Sequence, residues 1–156
     1  MTKTIVTGVD SSQTALRAAE KAAELADNYG GTLHICTAFS TSSTDALSSI
    51  RSRSSGRTSS SEYKKLIAGV SAAAEQIAES VAAILREVHP DLTIEVSSVP
   101  GNPADALLKK SRELDADLIV VGNKRVQGVS RILGSIARKV SAEAPCDLYI
   151  AHTTQR

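Results

Sequence analysis

Five short runs of β-branched and aliphatic residues recur along this chain, and amphipathic, helix-spaced segments fill the intervals between them. Thr4–Val9, Thr32–Ala38, Leu92–Val99, Leu118–Val121 and Asp147–His152 read as strands. Between the first two, Ala15, Leu16, Ala19, Ala22, Ala23 and Ala26 repeat at helical spacing. Ser11 or Ser12 can cap that helix, because a short hydroxyl side chain accepts from an orphan N–H of the first turn. Gly30-Gly31 stop it. A second helix runs from about Glu62 to about Val88 with an apolar face through Leu66, Val70, Ile77, Val81 and Leu85, and Pro90 ends it. Asn102, Pro103 and Asp105 fit the N-cap, first and third positions of a third helix, and Ile136, Val140 and Ala144 mark a last one.

Strand following helix in this way calls for an α/β fold: one parallel sheet with helices on both faces. At 156 residues, a single domain over 1–156 can bury a real core. The uninterrupted apolar run Leu118–Val121 suits a central strand, and the alternation Leu92, Ile94, Val96 suits a strand nearer an edge. Ser40–Ser61 differs in kind: 14 of its 22 residues are Ser or Thr, with Arg51, Arg53 and Arg57 interspersed. Such a stretch cannot bury enough apolar surface to offset its ordering entropy, so a mobile surface loop is expected there.

Composition narrows the function. Aromatic residues are 3% of the chain and Trp is absent, against a stacking platform for single-stranded nucleic acid. A net charge of +1 gives no general pull toward nucleic acid or membranes. No apolar run reads as long enough to span a bilayer, and Met1–Val6 lacks a signal-peptide pattern, so a cytoplasmic protein is expected. In that compartment Cys36 and Cys146 read as small buried hydrophobes rather than a disulfide or a zinc site.

Chemistry concentrates between Val121 and Ala137. A strand ends at Gly122, a glycine-bearing loop follows, and Gly134-Ser135-Ile136-Ala137 open a helix. Glycines let backbone N–H groups approach a ligand, and a helix N-terminus adds unpaired donors and partial positive charge, which together cradle phosphate. In open α/β sheets ligands sit beyond strand carboxyl ends where strand order reverses. Gly8-Val9-Asp10 and Val121-Gly122-Asn123 are two such ends, and they flank one crevice if their strands are neighbours. Asp10 could then accept from ribose hydroxyls or hold a phosphate-bound metal. No GxxxxGK[ST] occurs, and no GxGxxG follows the first strand, which excludes a P-loop NTPase and an ordinary dinucleotide fold.

With these residues in place, the chain resembles the universal stress protein family, of adenine-nucleotide alpha-hydrolase-like fold. The resemblance rests on Ile5–Ser12, Gly101-Asn102-Pro103, Asp115–Gly122, Gly134–Ala137 and Ala144–Ile150. It implies a five-stranded, Rossmann-like sheet in order 3-2-1-4-5, a homodimer, and in part of the family a nucleotide pocket for ATP or another adenine nucleotide with Mg2+. That pocket would use Gly8, Val9 and Asp10, the backbone at Thr37 and Ala38, Gly101, and the glycine loop. The family's ATP-binding pattern is Gly-x2-Gly-x9-Gly-[Ser/Thr]. Gly122 supplies its first glycine and Gly134-Ser135 its last pair, whereas Arg125 stands where the second is expected and the loop is one residue shorter.

Plainer readings stand beside these. On sequence physics alone Asp10 is a turn or capping residue, Gly122 a strand exit and Gly134 a helix-entry glycine. Lys124, Arg125 and Arg131 either neutralise phosphates or form a solvated loop face. His34, His89 and His152 have no Ser, Cys or carboxylate at catalytic spacing and read as structural or exposed. No catalytic residue and no protein-only metal site is assigned. The expected function is an ATP-binding homodimeric regulatory switch with an unidentified protein partner, acting without nucleic acid or membrane, not an enzyme. The alternatives are a family member that binds no ATP and serves as an interaction module, and a slow nucleotide hydrolase or phosphotransfer protein. The last strand, as a sheet edge, supplies the dimer rationale, because an apolar edge is an association hazard unless paired.

Overall fold

Thr4–Gly8 forms β1, whose β-branched residues are buried on both faces, and the chain turns at Asp10 into α1 (Gln13–Tyr29). The structure, a computed structural model, describes residues 2–40, 57–123 and 133–153, with the backbone alone at 57–60. Ser12 caps α1: it is extended, and its Oγ accepts from the Ala15 N–H at 3.2 Å. Gly30 ends the helix in the left-handed region, φ 64°. A Cβ on the next residue, Gly31, would run into the Lys3 carbonyl.

The elements that follow are β2 (Thr32–Phe39), α2 (Arg57–Val88), β3 (Thr93–Pro100), α3 (Pro103–Glu113), β4 (Leu118–Gly122), α4 (Ser135–Glu143) and β5 (Asp147–Ala151). They build one five-stranded sheet in order β3-β2-β1-β4-β5, parallel throughout. Side chains alternate across it. Ile5, Leu33, Ile35 and Val120 pack with α1 and α2 on one face. Val6, Cys36, Ile119 and Val121 pack with α3 and α4 on the other. The buried stripe of α1 is alanine alone, Ala18, Ala19, Ala22, Ala23 and Ala26, so this helix lies close against the sheet.

The strand order and the central place of β4 match the expectation. Boundaries differ at several elements: β1 ends at Gly8 rather than Val9, β2 reaches Phe39 and β4 reaches Gly122. α2 begins at Arg57, not near Glu62, because helix propagation needs no apolar side chain once nucleated. The remaining residues of the expected Ser/Thr-rich loop beyond Ser40 lie outside the described residues. The third strand is shifted to Thr93–Pro100. The last strand ends at Ala151, since the side chain of Asn123 replaces a neighbouring strand as acceptor for Thr153 N–H. The expectation about bilayer-spanning length also needs correction: among the described residues, Ser61–Val88 is long and apolar enough to cross a membrane. Its Ala74, Ala78, Val81, Ala82 and Leu85 are buried, and α2 packs on β2 and β3.

Candidate functional site

Strand order reverses between β1 and β4, and there a cleft of about 690 Å³ opens at the strands' carboxyl ends. Its floor is bare backbone at Gly8 and Gly122. A Cβ at Gly8 would meet only ordinary contacts at 3.8 Å, so the fold itself tolerates a side chain there; the glycine keeps the floor open. One wall is the start of α1, with Ser12, Thr14, Ala15 and Ala18. The facing wall joins α3, through Pro103, Ala106 and Leu107, to the start of α4.

Of the residues expected from the sequence, Gly8, Val9, Asp10, Ala38, Val121 and Gly122 line this cleft. So do Gly134, Ser135, Ile136 and Ala137. Thr37 and Gly101 are not among the lining residues. Thr37 is buried with its hydroxyl unpartnered among the described residues. Gly101 has φ 123° and donates to the Phe39 carbonyl at 3.0 Å, so its glycine is accounted for by the turn after β3. Lys124, Arg125 and Arg131 lie outside the described residues.

Asp10 is exposed, and its Oδ1 accepts from the Ser12 N–H at 2.8 Å. Its turn role is therefore real, and it is also the one carboxylate among the cleft-lining residues. α4 starts at Gly134, in an extended conformation, φ −60° and ψ 159°, with no side-chain cap. As a glycine, the N-cap offers the first-turn N–H groups of α4 no side-chain acceptor of its own. No group of three metal-ligating side chains occurs among the described residues.

Several lining residues escaped the sequence reading. Cys36, on β2, is one; burial pushes its thiol pKa up to about 12, which leaves it a small apolar wall rather than a nucleophile. Thr14, Ala106 and Leu107 sit in helix turns whose periodicity signals packing and gives no hint of a cleft. Thr153 is the least legible, since it reaches the site from beyond the last strand. It is buried against Gly122, where an added Cβ would lie 2.9 Å from the Thr153 Oγ1. Gly122 is therefore glycine for a reason that neither sequence reading supplied: it makes room for Thr153.

Away from the cleft, the register of β2 and β3 shows His34 as a structural residue. Glu95 lies opposite it, and Ser97 Oγ is 2.8 Å from Nε2. Nδ1 is 3.6 Å from the Glu95 carboxylate, beyond hydrogen-bond distance. Burial, helped by the Lys110 charge, lowers the His34 pKa against the opposing pull of Glu95. The imidazole is a buried neutral hydrogen-bonding group, and no cleft-lining residue belongs to its cluster.

Residues 1–152 match the model of the universal stress protein family. A universal stress protein of Mycobacterium tuberculosis is 31% identical over 155 residues, covering 97% of each chain. A solved universal stress protein in complex with cAMP is 28% identical, with a TM-score of 0.61 and 98% of each chain covered. The universal stress protein UspA from Lactobacillus plantarum superposes with a TM-score of 0.68 at 21% identity, over 96% of this chain and 97% of that one, and supports the fold.

Proposed function

The chain belongs to the universal stress protein family, and we propose that its cleft binds an adenine nucleotide, ATP in particular, as the ligand of a regulatory switch. The observation that carries this reading is the pairing of a bare-backbone floor at Gly8 and Gly122 with the side-chain-uncapped N-terminus of α4 on one cleft. Peptide N–H groups and the helix dipole favour an anionic ligand at that end. The apolar stretch bounded by Val9, Ala18, Ala38 and Leu107 favours a flat, weakly polar base at the other. The relative solved with cAMP holds a ligand of the same chemical class.

Asp10 supplies the ribose contact or, as the one carboxylate among the described lining residues, a charged oxygen toward a Mg2+ carried on the phosphates. With Asp10 the one carboxylate among the described lining residues, this set favours binding over hydrolysis. The switch would work by differential affinity: ATP stabilises the arrangement in which the α1 and α4 starts face each other, and a protein partner in the cytoplasm reads that arrangement. Two copies would pair through β5. Calorimetric titration with ATP tests the reading, with an Asp10→Ala, Gly134→Val double variant as control. Saturable binding lost in the double variant supports it, whereas absent or unchanged binding rejects it.

A further inference from the structure

Gly122 and Asn123, where the chain leaves β4, are fastened to the segment that follows β5. The Asn123 N–H donates to the Ala151 carbonyl at 3.0 Å. The Thr153 N–H donates to Asn123 Oδ1 at 2.8 Å, and Thr153 Oγ1 lies 3.2 Å from the same oxygen. Because an amide N–H can only donate, Oδ1 is fixed as the acceptor and Nδ2 as the donor. Nδ2 therefore donates to His152 Nδ1 at 3.1 Å. Asn123 is buried, and its side chain thus holds His152 and Thr153, the first two residues after β5.

The clasp reaches the opposite wall of the cleft. Arg17 Nη1, on α1, donates to the Thr153 carbonyl at 2.9 Å. Thr153 itself lines the cleft and packs on Gly122. One chain of contacts therefore runs from α1 through Thr153 to Asn123 and the floor at Gly122. A strand exit needs no such network. Its effect is to fix, before any ligand arrives, where the backbone of Gly122 stands relative to α1.

We propose that Asn123 is a positioning residue for the phosphate end of the cleft, acting through Thr153, and that the segment after β5 is a working wall of the ligand site. The inference rests on the nucleotide reading above and adds to it a part of the chain that the glycine pattern omits. It makes a specific demand. Releasing the clasp must weaken ligands that carry phosphate and leave the bare nucleoside nearly untouched, because the base and ribose are held by other walls.

Calorimetry with ATP and, separately, with adenosine tests this on the wild-type chain, Asn123→Ala and Arg17→Met, with thermal melting of each as a control. The Arg17 variant keeps its aliphatic stem on a part-exposed helix position and guards against misfolding of the first. The expected result is an ATP Kd about tenfold higher in Asn123→Ala, the size of one lost hydrogen bond. A smaller rise is expected in Arg17→Met, with adenosine within about twofold throughout. Equal weakening of both ligands, or an unchanged ATP Kd, overturns the positioning role while the nucleotide reading stands. Failure of the wild-type chain to bind ATP or adenosine removes the nucleotide reading and this role with it.

Discussion

His34 shows how a single residue's environment becomes measurable. Burial and the Lys110 charge lower its pKa from 6.5. Above that value both folded and unfolded chains hold it neutral, and it contributes nothing to pH dependence. Below it the unfolded chain takes up a proton that the folded chain resists, so stability falls as pH drops from 6.5 toward the lowered folded value. Asp105 and Glu113, each held low by hydrogen bonds from Lys139 and Lys110 respectively, contribute only at more acid pH. Urea unfolding between pH 7 and 5.5 should show a decline that His34→Gln flattens; an equal decline in the variant would refute this account. The sequence shows His34 as a lone histidine in a strand. Only the parallel register, with Cys36 opposite Ser97 and His34 opposite Glu95, brings its neighbours into view.

At the scale of elements, α1 makes the sharpest claim. Its five buried residues are all alanine, which brings helix and sheet into close contact with no room for a larger side chain. Ala22, fully buried among them, is the place to test this. Ala22→Leu should cost about 1–3 kcal/mol by overpacking, read from the denaturant midpoint. A variant of undiminished stability would show that the helix can back away freely. This element was legible in advance: the helix period, a cap at Ser11 or Ser12 and the Gly30-Gly31 stop all stand in the sequence, and the structure selects Ser12 and Gly30. The start of α2 was not, because Arg57–Ser61 carries loop-like composition and owes its helicity to the segment it joins. The end of β5 was not either, because a side chain at the exit of β4 intervenes from 30 residues away. Local pattern reports what a segment can form; it is silent on what a distant polar group does to its last residue.

For the whole molecule, topology sets where the cleft opens and which strands form the sheet edges. Bringing β1 beside β4 joins two strand ends, at Gly8 and Gly122, that lie far apart in the sequence; the strands are tied by bonds such as that from Thr7 Oγ1 to the Val120 carbonyl at 2.9 Å. Gly8 and the α4 start were readable because backbone access demands particular residues there, whereas the reason for Gly122, the packing of Thr153, was not. Thr153 and the alanine-lined wall of α1 were not, because ordinary packing residues form a cleft only once the sheet is assembled. At the other end of the strand order, β5 pairs on one side only, and Tyr149 and Ile150 remain 38% and 40% exposed. Pairing with a second copy would cover this edge. Sedimentation at micromolar concentration should give a dimer that Ile150→Glu converts to monomer, and a wild-type monomer would count against it.

The proposed ligand of the cleft between β1 and β4 is an adenine nucleotide, phosphates toward α4. Calorimetric titration of ATP into the purified chain and into the Asp10→Ala, Gly134→Val double variant tests it most directly. One saturable site per chain, abolished in the double variant, is the expected result. No heat of binding in the wild-type chain, or the same isotherm in both proteins, would contradict it.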